Sequence, residues 1–256
     1  MKIATWNVNS LKVRLPQLLQ WLETNPVDAL CLQETKLTDD KFPIAEIHAA
    51  GYQVVFSGQK SYNGVAILSR HPLDAVVRGN PRFEDEQQRV IAATVAGIRI
   101  ICAYVPNGQA VDSDKYVYKM AWLNGLREWV SEELRQHGDA GLALLGDYNI
   151  APEDRDVHDP ALWTGQIHFS DPEKAHFNAL VELGLVDAFR LFEQPEKSFS
   201  WWDYRQLGYQ KNKGLRIDHI LMSAALAQRC TACSIDRVPR KWPQPSDHAP
   251  VIATLS

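Results

Sequence analysis

Seven apolar runs of strand length recur along the chain and indicate that its fold is built on β-sheets. Each run is rich in aliphatic or β-branched side chains, a pattern that predicts strands. The runs span residues 27–32, 64–69, 89–96, 98–105, 141–149, 215–223 and 248–255. Because Gly97 separates two neighbouring runs in the segment TVAGIRI, we expect those two strands to form a hairpin.

Three other segments have the apolar spacing of amphipathic helices, at residues 15–23, 115–136 and 173–184. Gly138 is the predicted stop of the second helix. The longest connections, and therefore the predicted functional loops, span residues 106–114, 151–172 and 203–213. Hairpins mixed with helices favour an α/β fold with sheets packed face to face and helices outside, rather than a regular strand–helix alternation.

Composition limits the possible classes of protein. With 256 residues, 45% of them hydrophobic, the chain suffices for one α/β domain, and no internal boundary divides residues 1–256. The net charge of −4 argues against a generally basic surface, so a polyanionic partner requires a local basic patch, a metal, or both. No apolar leader or long apolar run is present, and we expect a cytoplasmic monomer without membrane contact.

The four cysteines do not suggest a disulfide framework. Cys31 and Cys102 lie within apolar runs and are expected to be buried. Cys230 and Cys233 form a single CxxC without a second pair, which is a weak signal for zinc. All four are therefore predicted to have structural roles.

Polar side chains interrupt the apolar runs where the predicted strands end. In LLGDYNIAP, residues 144–152, Asp147 and Asn149 are two positions apart and should point the same way from an extended chain. Strand ends of this kind carry the chemistry of many α/β proteins. Comparable interruptions occur at Asn7, Asn9, Glu34, Asp218, Asp247 and His248.

This set of side chains suits one kind of chemistry. An acid beside a buried strand is costly to leave unpaired, and carboxylate and amide oxygens are ligands for Mg²⁺ or Mn²⁺. A histidine beside an acid binds a phosphate oxygen or moves a proton. The sequence contains no nucleophile elbow, P-loop or GxGxxG motif. The set therefore predicts metal-assisted attack of water on a phosphate ester.

Eight motifs, taken in order, resemble those of the exonuclease III class of abasic-site endonucleases, within the endonuclease/exonuclease/phosphatase superfamily. They are WNVNS, LQETK, NGVAILS, YVPNG, LLGDYNIAP, SWWDYR, GLRIDHIL and SDHAP, and the resemblance spans residues 2–255. SWWDYR followed by GLRIDHIL favours the exonuclease III branch over the phosphatase and sphingomyelinase branches. The resemblance implies a four-layer sandwich, two packed mixed β-sheets flanked by helices, with the site at one edge.

The resemblance also implies roles for individual residues. Glu34 would be the main Mg²⁺ ligand, Asp147 would orient or deprotonate the attacking water, and Asp218 would orient His248 toward a non-bridging phosphate oxygen. Whether Asp147 or His248 is the general base stays open, as does the number of metal ions. The implied metal-binding set is Asn7, Glu34, Asp147, Asn149, Asp247 (directly or through water) and His248. The implied catalytic set is Tyr104, Asp147, Asn149, Asp218 and His248.

Contacts with DNA are implied for four residues, Asn107, His168, Trp201 and Arg216. Asn107 would help to bind phosphate, and Trp201 would pack on the sugar beside the broken bond. Arg216 and Lys36 would each contact phosphate or only pair with nearby acids. The basic segments 211–216 and 236–242 are candidates for a DNA track. Asn9 is expected to stabilise a turn, and His219 to face away from Asp218 as a structural residue.

His168 departs from the family pattern. Members that act on abasic sites often have Ser or Gly at this position, in the loop TGQIHFS that lines the pocket for the flipped sugar. A bulky imidazole would narrow that pocket, so we expect a preference for 3′ ends over internal abasic sites. The alternative is that His168 swings aside or lies outside the pocket.

The resulting prediction is a Mg²⁺-dependent DNA repair nuclease. It would hydrolyse phosphodiester bonds at abasic sites, trim blocked 3′ ends and degrade DNA in the 3′–5′ direction, leaving a 3′-hydroxyl. Its partners would be double-stranded DNAs with abasic sites, nicks or blocked 3′ ends. Two alternatives share the scaffold: a non-catalytic nucleic-acid-binding regulator, and a phosphodiesterase for a small molecule or lipid headgroup.

Overall fold

The computed structural model describes residues 1–256. It contains fourteen β-strands. In chain order they are β1 (Lys2–Asn7), β2 (Ala29–Gln33), β3 (Gln53–Ser57), β4 (Val65–Ser69), β5 (Leu73–Arg78), β6 (Val90–Val95), β7 (Ile98–Tyr104), β8 (Leu142–Asp147), β9 (Leu185–Asp187), β10 (Trp201–Trp202), β11 (Gly214–Leu215), β12 (Asp218–Ser223), β13 (Cys230–Ile235) and β14 (Val251–Leu255).

Six α-helices and five 3₁₀ turns connect these strands. The helices are α1 (Leu11–Thr24), α2 (Ile44–Ala49), α3 (Asp114–His137), α4 (Pro160–Trp163), α5 (Asp171–Glu182) and α6 (Ala224–Ala227). The 3₁₀ turns are Asp39–Lys41, Asp154–Asp156, Ala188–Leu191, Arg205–Leu207 and Val238–Lys241. Helix α3 begins after Ser113, whose hydroxyl accepts the N–H of Tyr116, and it ends directly before Gly138, as predicted.

Two six-stranded sheets form the centre of the molecule. The first sheet has the order β13–β14–β1–β2–β4–β3 and the second has the order β5–β6–β7–β8–β12–β9. Each is mixed, because β1 and β2 run parallel in the first sheet and β7 and β8 run parallel in the second. The predicted hairpin joins β6 to β7 through Ala96 and Gly97, both with positive φ, as a tight two-residue turn requires.

The two sheets pack against each other through one apolar core. Residues from both sheets, such as Ile67 and Ile100, are fully buried in it. Helix α1 covers the outer face of the first sheet, where Trp21 packs near Trp6. Helices α3 and α5 cover the outer face of the second sheet. This arrangement confirms the predicted four-layer sandwich of two mixed sheets with helices outside.

None of the helices combines the length and apolar character that crossing a membrane requires. All four cysteines are free thiols, and Cys31, Cys102 and Cys233 are buried.

Candidate active site

Strand register brings three of the predicted residues into one row. Asp147, the last residue of β8, lies opposite Tyr104 of β7 on one side and Asp218 of β12 on the other. Residues in register on adjacent strands share a face of the sheet. This face packs on the first sheet, because Tyr104 belongs to the core between the two sheets. The row therefore points toward the edge where both sheets meet.

The first sheet supplies Asn7 and Glu34 to the same point. Asn7 ends β1, and Glu34 follows β2, which lies beside β1 in parallel. The Asn7 amide Nδ2 donates to Glu34 Oε1 and to Asp147 Oδ2, both at 2.9 Å. Its Oδ1 accepts from the N–H of Asn9. Asn7 thus joins the two carboxylates through its amide nitrogen.

The cluster formed by Glu34, Asp147 and His248 has the geometry of a cation site. One ligand atom from each residue lies within 4.8 Å of the others. Two converging carboxylates are the donor set that suits a hard divalent cation. Asp247 lies outside this cluster, since its Oδ1 accepts from Asn9 Nδ2 at 2.9 Å and its Oδ2 from Trp201 Nε1 at 3.0 Å. Both of its carboxylate oxygens are therefore already hydrogen-bonded.

His248 is held between two carboxylates. Its Nδ1 lies 2.9 Å from Asp218 Oδ2, and its Nε2 lies 3.7 Å from Asp147 Oδ2. Burial alone would lower the pKa of His248, but the carboxylates of Asp218 and Asp147 outweigh burial and raise the pKa to about 10. At neutral pH the ring is an imidazolium with both nitrogens donating. It is therefore a hydrogen-bond donor and not a base.

Asp147, unlike His248, is suited to accept a proton. Burial raises its pKa, His248 lowers it and Asp218 raises it again, with a net value of about 7. Its Oδ1 accepts the backbone N–H of Asn149 at 2.9 Å, which fixes the carboxylate in place. A carboxylate with a pKa near neutrality is suited to accept a proton. Of the two candidates for the general base, the electrostatics favour Asp147.

Tyr104 is held as a hydrogen-bond donor. Burial, followed by the nearby charges of Glu34 and Asp147, raises the pKa of its hydroxyl well above the usual value. The Arg89 guanidinium lies 4.9 Å from the centre of its ring, and Nη1 of Arg89 donates to the Tyr104 carbonyl. The phenol therefore stays protonated and fixed beside the two carboxylates.

Asn107, Asn149 and His168 form a second group beside this cluster. His168 Nδ1 lies 2.9 Å from the Asn149 carbonyl, so Nδ1–H donates to it, and Nε2 accepts from Asn107 Nδ2 at 3.4 Å. Burial, then the charge of Lys119, lowers the pKa of His168 to about 4, and the ring is neutral. Asn107 Nδ2 also lies 3.4 Å from Asn149 Oδ1.

The imidazole of His168 is buried beside two indoles. The side chain is buried, and its ring centre lies 6.5 Å from those of both Trp163 and Trp201. The two indoles also line a cleft of about 380 Å³ with His158, Leu162, Asp203, Arg205, Gln206, Gly208 and Lys213. His168 has a φ of 72°, a conformation in which glycine is unstrained.

The prediction that Arg216 contacts DNA is wrong. Its side chain is 1% exposed, and its Nε lies 2.6 Å from Asp156 Oδ1 while its Nη1 lies 2.8 Å from Asp187 Oδ2. A guanidinium that is fully paired and excluded from water offers nothing to a phosphate. Of the two uses that the sequence left open, pairing with acids is the correct one.

The second basic segment, 236–242, also turns inward at Arg240. This side chain is buried, donates to the Ser246 carbonyl, and lies over the ring of Tyr209 at 4.9 Å. It thus supports the loop that carries Asp247 and His248. Lys213 in the first basic segment is exposed and lines the tryptophan cleft.

Asn9 does more than stabilise a turn. Its Nδ2 donates to Asp247, and its Oδ1 accepts from Lys36 Nζ at 2.5 Å. Lys36 Nζ also lies 2.8 Å from Glu34 Oε2. These contacts link Glu34 to Asp247 across the site. Lys36 is therefore paired with an acid in this structure.

His219 is structural, as expected. Nε2–H donates to the Ile150 carbonyl at 2.8 Å, and Nδ1 accepts from Arg216 Nη1 at 3.0 Å. Burial and the charge of Arg216 lower its pKa to about 4. The ring is therefore neutral, and its hydrogen bond to the Ile150 carbonyl joins β12 to the segment after β8.

Sequence reasoning missed a buried ion pair under the site. Lys119 of α3 and Glu173 of α5 lie 2.5 Å apart, and both side chains are fully buried. The signal was available, because Lys119 interrupts the apolar face of a helix at the spacing of Tyr116, Leu123 and Leu126. A charge at such a position requires a buried partner.

Comparisons with known proteins agree with this geometry. Residues 4–248 match the family described as the Endonuclease/Exonuclease/phosphatase family. A protein of Haemophilus influenzae named exodeoxyribonuclease III is 35% identical over 266 residues, which cover 99% of this chain and 99% of that protein.

Two solved structures show the same fold. The 3′ phosphatase NExo from Neisseria, solved with a product DNA hairpin, superposes with a TM-score of 0.98 at 49% identity, covering 100% of this chain and 99% of that chain. An AP endonuclease from Archaeoglobus fulgidus superposes with a TM-score of 0.96 at 39% identity, again covering 100% of this chain and 99% of that chain. The similarity thus extends along the whole chain.

Proposed function

This chain belongs to the endonuclease/exonuclease/phosphatase family, in its exonuclease III branch, and we propose that it is a Mg²⁺-dependent DNA repair nuclease that acts mainly on blocked 3′ ends. The observation that carries the proposal is the cluster in which Glu34 and Asp147 converge beside a protonated His248. Two carboxylates and a donor at one point are suited to phosphate ester hydrolysis.

Glu34 and Asp147 are the residues that would hold the cation. Mg²⁺ bound there would neutralise charge on the phosphate and on the attacking water. Asn7 orients the two carboxylates through Nδ2, and this contact supports an orienting role over that of a direct ligand. Asp247 would contribute through water, since both of its oxygens already accept hydrogen bonds. Asn149 Nδ2 donates to the Val105 carbonyl and its Oδ1 accepts from Asn107 Nδ2, which argues against Asn149 as a direct ligand of the cation.

The remaining residues supply proton transfer and hydrogen bonds. Asp147 accepts a proton from the water that attacks phosphorus. His248 Nε2–H and the Tyr104 hydroxyl donate to phosphate oxygens as charge develops on them. Asn107 and Asn149 contribute amide contacts to the same phosphate. The products at an internal bond are a 3′-hydroxyl and a 5′-phosphate, and at a 3′-phosphate they are a 3′-hydroxyl and inorganic phosphate.

The preference for 3′ ends rests on His168 and on the 3′ phosphatase similar to this chain. The imidazole lies beside Trp163 and Trp201. It would obstruct a flipped abasic sugar that enters at these two indoles. A nicked or frayed 3′ end reaches the cluster without that step. Double-stranded DNA with a nick or blocked 3′ end is therefore the proposed substrate, with internal abasic sites cut more slowly.

Product analysis tests the proposal. A nicked duplex with a 3′-phosphate is incubated with the protein and Mg²⁺, and released phosphate and new 3′-hydroxyl ends are measured. We expect both products in equal amounts and none after chelation of the metal. DNA binding without product would favour the regulator instead.

The shared core and a site built from both sheets support a single domain over residues 1–256. The monomeric state and the cytoplasmic location stay predictions.

Shortening His168 is expected to change the substrate preference. In His168→Gly, cleavage at an internal abasic-site analogue should rise relative to 3′-phosphate removal by about tenfold or more, the range that one pocket side chain controls. The φ of 72° suits glycine, so the variant should fold. His168→Asn, which keeps bulk and a donor near the Asn149 carbonyl, is the control. An unchanged ratio of the two rates in His168→Gly and His168→Ser would contradict the assignment.

The pH dependence of kcat/KM is expected to be bell-shaped. Activity should rise as Asp147 loses its proton around pH 7, and fall as His248 loses its proton around pH 10. Because Mg²⁺ favours the ionised carboxylate, the acidic limb should move to lower pH as the Mg²⁺ concentration rises. Asp218→Asn removes the charge that holds the proton on His248, so the alkaline limb should move to lower pH. An alkaline limb that Asp218→Asn leaves in place would argue against this role of His248.

A further inference from the structure

The buried pair of Lys119 and Glu173 lies directly beneath the substrate-facing loops. The two charged atoms are 2.5 Å apart and neither side chain is exposed to solvent. A buried ion pair is a poor source of stability, because the cost of removing two charges from water offsets much of their attraction. The other contacts of the pair therefore indicate what it contributes.

Lys119 holds two main-chain carbonyls. Its ammonium donates to the Asn149 carbonyl at 2.8 Å and to the Asn107 carbonyl at 3.2 Å, as well as to Glu173. An ammonium has three N–H donors, and all three are used here. Asn107 lies on the loop after β7 and Asn149 on the loop after β8. One side chain therefore joins the two loops that carry the predicted phosphate contacts.

Glu173 holds the third loop. Its Oε1 accepts the N–H of His168 at 3.1 Å, and its Oε2 accepts the N–H and the hydroxyl of Ser170. His168 also bonds through Nδ1 to the Asn149 carbonyl. A non-glycine residue with positive φ persists only where its surroundings hold it, and these contacts supply that restraint.

We propose that Lys119 and Glu173 form a positioning pair that fixes the main chain of three loops, so that Asn107, Asn149 and His168 face the substrate phosphate. The inference rests on the proposed function, because it concerns the orientation of groups toward that phosphate. Neither member of the pair touches the reacting atoms in this account. Their effect is on turnover through the loops that they hold.

Removing both charges together separates positioning from stability. In Lys119→Met or Glu173→Gln alone, one charge stays buried without its partner, and the variant is expected to lose stability. In the double variant no lone charge remains, so stability should largely return. The hydrogen bonds from Lys119 to the carbonyls of Asn107 and Asn149 are still missing, so turnover should stay low. A purely structural pair predicts that turnover returns together with stability.

A second buried pair, between Arg99 of β7 and Glu133 of α3, provides the matched control. Arg99 Nε lies 2.5 Å from Glu133 Oε2, and both side chains are almost fully buried. Glu133 is fourteen residues from Lys119 along α3, which places it about 21 Å away at the helical rise. The control variant is Arg99→Met/Glu133→Gln.

The kinetic experiment measures kcat and KM on a nicked duplex with a 3′-phosphate, at temperatures where each variant is folded. For Lys119→Met/Glu173→Gln we expect kcat to fall by about 10- to 100-fold, the effect of a small misplacement of binding groups. The KM of this variant should stay within about threefold of wild type, and so should the kcat of the control variant. If this site double variant, Lys119→Met/Glu173→Gln, has the same kcat as the control variant, the proposal is overturned.

Hydrogen exchange tests the same proposal without any activity. The N–H of His168 donates to Glu173, and the N–H of Ala151 donates to the His168 carbonyl. In the site double variant their exchange should become at least about tenfold faster, with no change in the control variant. Unchanged protection would overturn the positioning role whether or not the wild type hydrolyses DNA. Faster exchange in a protein whose wild type makes no product would count against the proposed function alone.

Discussion

Asp147→Asn is expected to lower kcat for 3′-phosphate removal by about 10²- to 10⁴-fold, the typical contribution of a positioned proton acceptor. The substitution keeps the shape of the side chain but removes the group that accepts the proton from water. It also removes one of the two converging carboxylates that suit the cation. His248 does not replace it as proton acceptor, because His248 keeps its proton until about pH 10.

Binding should survive this substitution. DNA affinity of Asp147→Asn, measured by fluorescence anisotropy with the metal chelated, is expected to equal or exceed that of the wild type, since one negative charge near the phosphate is lost. Asp28→Asn is the control, because it removes a carboxylate at the opposite end of β2 from the site. Asp28 directly precedes this strand, and Glu34 directly follows it. A decrease in kcat of less than about tenfold in Asp147→Asn would contradict the role of Asp147 as the base.

Arg216→Met is expected to lower the free energy of unfolding by about 3–5 kcal/mol, as happens when one member of a buried charge cluster is removed. The guanidinium pairs with both Asp156 and Asp187, and its loss leaves Asp187 without this cation and Asp156 with Arg190 alone. Burial raises the pKa of Asp156, but Arg216 and Arg190 outweigh it, so its net pKa is below the usual value. Asp156 therefore stabilises the fold above its unfolded pKa, and the difference between variant and wild type should narrow as pH falls through its folded pKa.

Lys213→Met is the matched control, since this exposed lysine belongs to the same basic segment and lines the tryptophan cleft. Urea titration should show no stability loss in Lys213→Met. Its DNA affinity should instead fall and become less dependent on salt, as expected for a phosphate contact. The opposite result, in which Arg216→Met keeps its stability but binds DNA weakly, would restore Arg216 as a DNA contact.

The interior of the fold was predictable because its strands are buried on both faces. The strands β4, β7 and β8 are buried along their whole length and consist mostly of apolar residues, and this pattern predicts each of them. The strands β5 and β13 were missed. They lie at the edges of the two sheets and expose much of their length, so no continuous apolar run marks them.

Site residues at strand ends were predictable for a related reason. Asp147 and Asp218 interrupt buried strands, where a charge requires an explanation. Arg216 was assigned wrongly because the sequence gives a charge but not its burial. Its partner Asp156 is sixty residues away along the chain, and only the fold brings the two together. The contacts of Lys119 with Asn107 and Asn149 depend on the same long-range packing.

The most direct test of the account compares two duplex DNAs side by side with the wild-type protein and Mg²⁺. One carries a 3′-phosphate at a nick, and the other carries an internal abasic-site analogue. We expect the 3′-phosphate to be removed at least about tenfold faster than the abasic strand is cut, and Asp147→Asn to lose both reactions. Binding of both duplexes without either reaction would contradict it.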